Sequence, residues 1–161
     1  MEVLINEIVI NERPENVFNW CTQIDRYPDI FSNCISVKKT ELRSDEIIME
    51  LNVTDVFGES TIRSHRRYYY DNHRIEFALI TLPEKLLEMS GYWNIDNDGR
   101  NSILQIIHLF TLADLKYSSS KSVTRKNIYM TTQRVIEEIK KWVEKNSREA
   151  IHDRYKAVQK F

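Results

Sequence analysis

Glu59-Ser60-Thr61-Ile62-Arg63-Ser64-His65-Arg66-Arg67-Tyr68-Tyr69-Tyr70 is the stretch on which the fold and chemistry of this chain turn. It is rich in β-branched and aromatic residues and so reads as a strand. It also carries three arginines and a histidine, more charge than an ordinary core strand holds. Which of those charges faces inward is therefore the first question.

The next segment, His73 to Ile80, answers it. Ile75, Phe77 and Leu79 alternate with Arg74, Glu76 and Ala78, the period of a half-buried strand with its apolar residues toward the core. Only Asp71 and Asn72 separate the two strands. Both residue types tolerate positive φ, so a two-residue hairpin turn is expected. That turn sets Tyr70 opposite His73, Tyr68 opposite Ile75, Arg67 opposite Glu76, Arg66 opposite Phe77 and Ser64 opposite Leu79. Opposed residues share a face. Ile62, Ser64, Arg66 and Tyr68 are thus expected inside, with Arg63, His65, Arg67 and Tyr69 outside and Arg67 paired to Glu76 at the surface.

An inward Arg66 needs a partner, because guanidinium stays protonated in proteins and a dry unpaired ion costs several kcal/mol, roughly. No acid lies on the inner face of the hairpin. Either a partner comes from elsewhere, or the interior holds water and ligand. The alternative is a one-residue slip of register, which solvates Arg66 but turns Arg63, His65 and Arg67 inward.

At 161 residues, with 42% hydrophobic and 29% charged content, the chain reads as a single globular domain over 1–161. A net charge of −1 gives no electrostatic case for a nucleic-acid partner. Cys21 and Cys34 lack metal spacing and are expected as free thiols in a reducing cytoplasm, with no metal site. Glu2 and Glu7 near the start argue against a signal peptide. The longest apolar run, Ile103 to Leu115, is interrupted by Gln105, His108, Thr111 and Asp114, so no membrane span is expected.

Outward from the hairpin, Met1 to Asn11 reads as a strand. Its apolar positions change phase between Val3/Ile5 and Ile8/Ile10, which implies a bulge or a late strand start. Pro14 and the spacing of Val17, Phe18 and Cys21 predict a short helix. Asp25 is expected to cap a second short piece anchored by Ile30 and Phe31. Cys34–Leu42 and Glu46–Phe57 read as strands. After Ile80, Thr81–Met89 reads as an apolar loop, either a lid over a pocket mouth or a plug at the sheet end. Ser90–Ile95 and Ser102–Leu112 are strands, joined by a turn at Asp96–Asn101. From about Lys121 the period becomes helical, with Ile128, Thr132, Val135, Ile139, Trp142 and Val143 on one stripe. Asn146-Ser147 is a possible interruption, leaving about 146–161 as a frayed or separate helical tail.

One strand, two short helices, a six-strand antiparallel meander and a long C-terminal helix make an α+β helix-grip fold, a curved sheet of about seven strands around a helix with a cavity between them. Three groups of residues carry a resemblance: Tyr27-Pro28-Asp29-Ile30-Phe31-Ser32-Asn33, Ser64-His65-Arg66, and Thr131-Thr132 through Glu137-Glu138-Ile139-Lys140-Lys141. With them the chain, to about Lys145, resembles the START-like (SRPBCC) superfamily, and within it bacterial polyketide aromatase/cyclases of the tetracenomycin type.

The resemblance implies that Arg66 and Ser64 line a cavity. There Arg66 anchors and polarises a poly-β-ketone during regiospecific aldol ring closure and dehydration. Tyr27 matches an aromatic position near the pocket, and Tyr129 and Thr132 lie near the family's polar helix positions. Cys34 stands where those cyclases have a cavity tyrosine, and Ser60 and Ile62 where they have tryptophans. Phe31, Phe77 and Trp93 complete the expected substrate-binding set. Arg66 suits an oxyanion stabiliser. Tyr68, Ser64, Tyr27, His108 or a water would move protons, although His108, on the apolar face of Leu104, Ile106 and Phe110, equally reads as a core residue. The implied partners are a small hydrophobic substrate and an acyl carrier protein that delivers it, with Arg63, Arg67, Lys38 and Lys39 as candidate docking charges. No cofactor is implied. The same fold also suits a non-catalytic carrier of a quinone, lipid or polyphenol.

Overall fold

The computed structural model describes residues 1–55, 58–114 and 118–159, with side chains in the last helix described from 119 to 147. Strand β1 (Glu2–Ile10) leads to helix α1 (Pro14–Thr22), a 3₁₀ turn (Ile24–Arg26) and the four-residue helix α2 (Tyr27–Ile30). Six strands follow: β2 (Cys34–Arg43), β3 (Glu46–Asp55), β4 (Gly58–Tyr69), β5 (Arg74–Leu79), β6 (Leu86–Asp98) and β7 (Asn101–Leu112). Helix α3 runs from Ser118 to Gln159. The strands form one antiparallel sheet in the order β1-β7-β6-β5-β4-β3-β2, so the meander closes back on β1.

The hairpin has the register counted from its turn. Ser64 pairs with Leu79, Arg66 with Phe77, Arg67 with Glu76 and Tyr68 with Ile75. The left-handed residue of the connection is His73, at φ 51°, rather than Asp71 or Asn72. Ser64, Arg66 and Tyr68 are buried, while Arg63, His65, Arg67 and Tyr69 are partly exposed on the other face. The expected Arg67–Glu76 ion pair does not form. Tyr69 Oη donates to Glu76 Oε2 at 3.1 Å, and Arg67 lies over the Tyr69 ring instead.

Several other expectations are corrected. β1 has no bulge: Glu2 to Ile10 pairs without a break against Phe110 to Ser102. Its phase change arises because Val3 and Ile5 lie on the outer face, 54% and 50% exposed. Asp25 is not a helix cap, since neither the 3₁₀ turn nor α2 has a side-chain cap bond. The 81–89 loop is shorter than expected because β6 begins at Leu86. Leu86 packs with Phe110 and Leu112 against Met89, while Leu87 is exposed. α3 continues through Asn146-Ser147 without a break. The ends of two expected segments, at 56–57 and 160–161, and the side chains of Ala150, Ile151, Tyr155 and Val158 lie outside the described residues.

Polar contacts fasten α3 along edge strand β1. Asn6 Nδ2 donates to Tyr129 O and Gln133 Oε1, Lys140 Nζ donates to Val9 O, and Arg125 pairs with Glu2. The inner face of the sheet and the buried stripe Ile136, Ile139 and Val143 of α3 share one core with Val17, Phe18 and Ile24. The helix is thereby held across the concave side, which positions the site.

Candidate active site

Arg66 is 6% exposed in the C-terminal half of β4. Its Nη1 donates to Tyr27 Oη at 2.6 Å, and Tyr27 Oη donates onward to Cys21 O at 2.6 Å. The guanidinium carbon lies 4.8 Å from the Trp93 ring centroid and 5.4 Å from that of Tyr27. Among the described residues no carboxylate pairs with it, and Nε is buried without a partner. Desolvated cation–π contacts contribute about 2 kcal/mol each. They offset only part of a penalty of several kcal/mol, roughly, for burying an ion. A full positive charge is therefore held inside by neutral groups.

Two further polar atoms flank it on the same strand face: Ser64 Oγ, which has no partner, and Tyr68 Oη, which lies close enough to the guanidinium to feel it. Burial raises the Tyr68 and Tyr27 phenols above their ordinary range, and the neighbouring guanidinium only partly opposes that rise. Both are donors near neutral pH. Burial also pushes the Cys21 thiol up to about 12, so it is no nucleophile.

The sheet register places Arg66 in a row that runs Ile47, Arg66, Phe77, Gly91, His108, Leu4 across six strands. Gly91 has no side chain, so the Phe77 and His108 rings meet over it, edge to face with 5.3 Å between centroids. Beside this row, between the sheet and the N-terminal half of α3, lies a cavity of about 370 Å³. Ile62, Phe77, Leu79 and His108 line it from the sheet, Thr124, Ile128 and Thr132 from α3, and Pro83 and Lys85 from the β5–β6 loop. His108 Nδ1 is buried and unpartnered, and burial pushes the imidazole pKa down to about 4. The ring is therefore neutral at pH 7.

The expected site residues fall into two adjoining groups. Ile62, Phe77, His108 and Thr132 line the cavity. Tyr27, Phe31 and Trp93 line a space too small for a water molecule next to Arg66, with Tyr68 buried nearby. Phe77, opposite Arg66, stands between the two groups. Cys34 is buried, its thiol contacts Ser36 O, and it belongs to neither lining. Tyr129 is 42% exposed and does not line the cavity; one turn of helix separates it from the inward Thr132. Leu79, Lys85, Ile128 and Gly91 were not singled out by sequence. Leu79 and Ile128 sat on apolar stripes that a filled core would share, and the bare row position of Gly91 needed the β5–β6–β7 register to be seen. Of the candidate docking charges, Arg63 is engaged with Glu50 and Lys39 with Glu41.

A scan against protein-family models and a search of curated proteins found no match. Solved structures do match. The ZhuI aromatase/cyclase from Streptomyces sp. R1128 superposes with a TM-score of 0.80 at 16% identity, covering 92% of this chain and 97% of that one. The di-domain aromatase/cyclase BexL of the BE-7585A pathway gives 0.80 at 15% identity, with 89% of this chain covering 50% of that one. A START superfamily protein from Mycobacterium smegmatis gives 0.70 at 11% identity, over 89% of this chain and 97% of that one. Together with the seven-stranded sheet gripping α3, these show that the chain has the helix-grip fold, which it shares with those aromatase/cyclases and that START superfamily protein.

Proposed function

We propose that this protein binds an elongated, oxygen-rich hydrophobic chain, a carrier-delivered poly-β-ketone, and directs its aldol ring closure and dehydration. The observation that carries this reading is Arg66: a buried cation with no carboxylate partner among the described residues and an Nε without a hydrogen bond, one strand from a cavity-lining ring. A charge held that way is suited to an oxygen that becomes negative as a bond forms. Arg66 and His108 are three strand spacings apart, about 14 Å between backbones, so a ligand that uses both is extended rather than a single ring.

In the proposed reaction a methylene between two carbonyls gives up a proton, and the enolate carbon attacks a ketone held by Arg66. One carbon–carbon bond forms, the ketone oxygen becomes an alkoxide beside the guanidinium, and a proton returns to it. The carbon–carbon bond closes the ring, and the new hydroxyl then leaves with a hydrogen from the adjacent carbon as water, forming a ring double bond. His108 is neutral and faces the cavity, so it meets the far end of the chain as a hydrogen-bond partner, while the chain's own enol groups carry the protons at Arg66. Ser64 and Tyr68 offer O–H groups along the same strand.

A second reading is a non-catalytic carrier of a hydrophobic ligand. It is favoured by one observation: the groups nearest Arg66 are phenols and a thiol raised by burial, none of them a base at neutral pH. Adding the protein to a minimal polyketide synthase separates the two. A cyclase changes which rings form; a carrier leaves the product mixture as it was.

A further inference from the structure

We infer that Tyr27 is the positioning residue of Arg66, joining the guanidinium to the C-terminal end of α1 in place of a carboxylate. This rests on the reading of Arg66 as the ligand-binding group.

The last carbonyls of a helix lack intrahelical partners and carry its negative end. In α1 three of them have hydrogen-bond partners in the fold. Asn19 O accepts from Thr22 Oγ1, Trp20 O from Gln23 N, and Cys21 O from Tyr27 Oη. A purely structural tyrosine would need only that last donation. Tyr27 also accepts from Arg66 Nη1, so the chain Nη1–Oη–carbonyl ends on the helix dipole.

Two properties follow. The guanidinium is held by the Nη1 bond and by the Tyr27 and Trp93 rings, whose centroids lie 5.4 and 4.8 Å from its central carbon. Its charge is not cancelled, because a phenol raised by burial is neutral and a helix end carries only a fraction of a charge. A carboxylate in that place would orient Arg66 equally well and consume the charge meant for a ligand oxygen. Tyr27 Oη is engaged by both Arg66 Nη1 and Cys21 O, so it acts through Arg66.

The test compares binding of 2-naphthol with that of 2-methylnaphthalene, which differ by hydroxyl for methyl. The ratio of their affinities reports the oxygen contact and not the packing. Wild type is expected to favour the naphthol about tenfold, the worth of a hydrogen bond to a charged group. Arg66→Met brings the ratio to about one. Tyr27→Phe keeps the ring and lowers the ratio at least about threefold, while Ile139→Val, which loosens the same packing, leaves it unchanged. A ratio in Tyr27→Phe equal to wild type, with Arg66→Met collapsed, overturns the positioning role alone. An Ile139→Val ratio that falls as far as that of Tyr27→Phe makes the effect packing, and also overturns it. No preference in wild type overturns the ligand reading itself. NMR of the wild-type Arg66 side chain gives an answer independent of any variant: resolved, slowly rotating Nη groups are expected, and freely rotating ones contradict the inference.

Discussion

Phe77 and His108 touch edge to face across Gly91, on two strands that are not neighbours in the sheet. A β-carbon built on Gly91 would come within 1.8 Å of Ile107 O and 3.0 Å of Phe77 Cε1. The residue thus allows both a close backbone approach and the contact between two cavity-lining rings.

Gly91→Ala is therefore expected to be strongly destabilising, by about 3 kcal/mol or more, since the clash is with backbone and cannot be relieved by a rotamer. Urea unfolding measures it. A loss below about 1 kcal/mol would show that the β6–β7 approach relaxes freely.

His108 gives a pH signature. Its folded pKa of about 4 lies below the ordinary 6.5 because the ring is desolvated. Between those values the unfolded chain binds a proton that the native state refuses, so stability rises with pH across that window. The contribution is complete above about 6.5 and falls away toward 4, with an upper bound of about 3 kcal/mol from the shift. The difference between wild type and His108→Phe, followed by unfolding at pH 7 and pH 5, is expected to carry this slope. An NMR titration of His108 centred near 6.5 would contradict it.

Arg66→Met separates a ligand-binding role from a structural one. Replacing a buried ion by an apolar side chain of similar length is often neutral or stabilising by about 1–4 kcal/mol. Tyr27 keeps its bond to Cys21 O in the variant. The melting temperature of Arg66→Met is thus expected to equal or exceed wild type. A loss of more than about 2 kcal/mol would mean that the cation holds the fold together.

Ile62→Trp fills part of the cavity without touching the Arg66 contacts. The free volume equals about a dozen waters at about 30 Å³ each, so the larger ring is accommodated at a cost of about 1 kcal/mol. Binding of two-ring aromatic ligands is expected to weaken about tenfold by titration calorimetry. Unchanged affinity would place the ligand elsewhere.

The sheet was legible where one face is polar and the other apolar. Counting back from Asp71-Asn72 sorted every inward and outward residue from Ile62 to Tyr69, and the β5 alternation confirmed the frame. β1 was misread because Val3, Ile5 and Val9 are apolar on the outer face and Ile8 and Ile10 on the inner one; hydropathy cannot rank two apolar faces. The Arg67–Glu76 pair failed because register alone does not decide which acceptor or ring a long side chain chooses. The inward Arg66 was foreseen, but its tie to Tyr27 joins residues 39 positions apart and has no local signal. Tyr129 was misplaced because Ile128, Tyr129 and Thr132 lie within little more than a helical turn, and only packing decides which of them faces the sheet.

The most direct measurement is the product profile of a minimal polyketide synthase with no addition, with wild-type protein and with folded Arg66→Met. Wild type is expected to shift the mixture toward one ring pattern, and Arg66→Met to return it to the pattern formed with no addition. A wild-type mixture identical to the unassisted one would contradict cyclase function for that chain length, and an Arg66→Met mixture identical to wild type would contradict the role assigned to the buried cation.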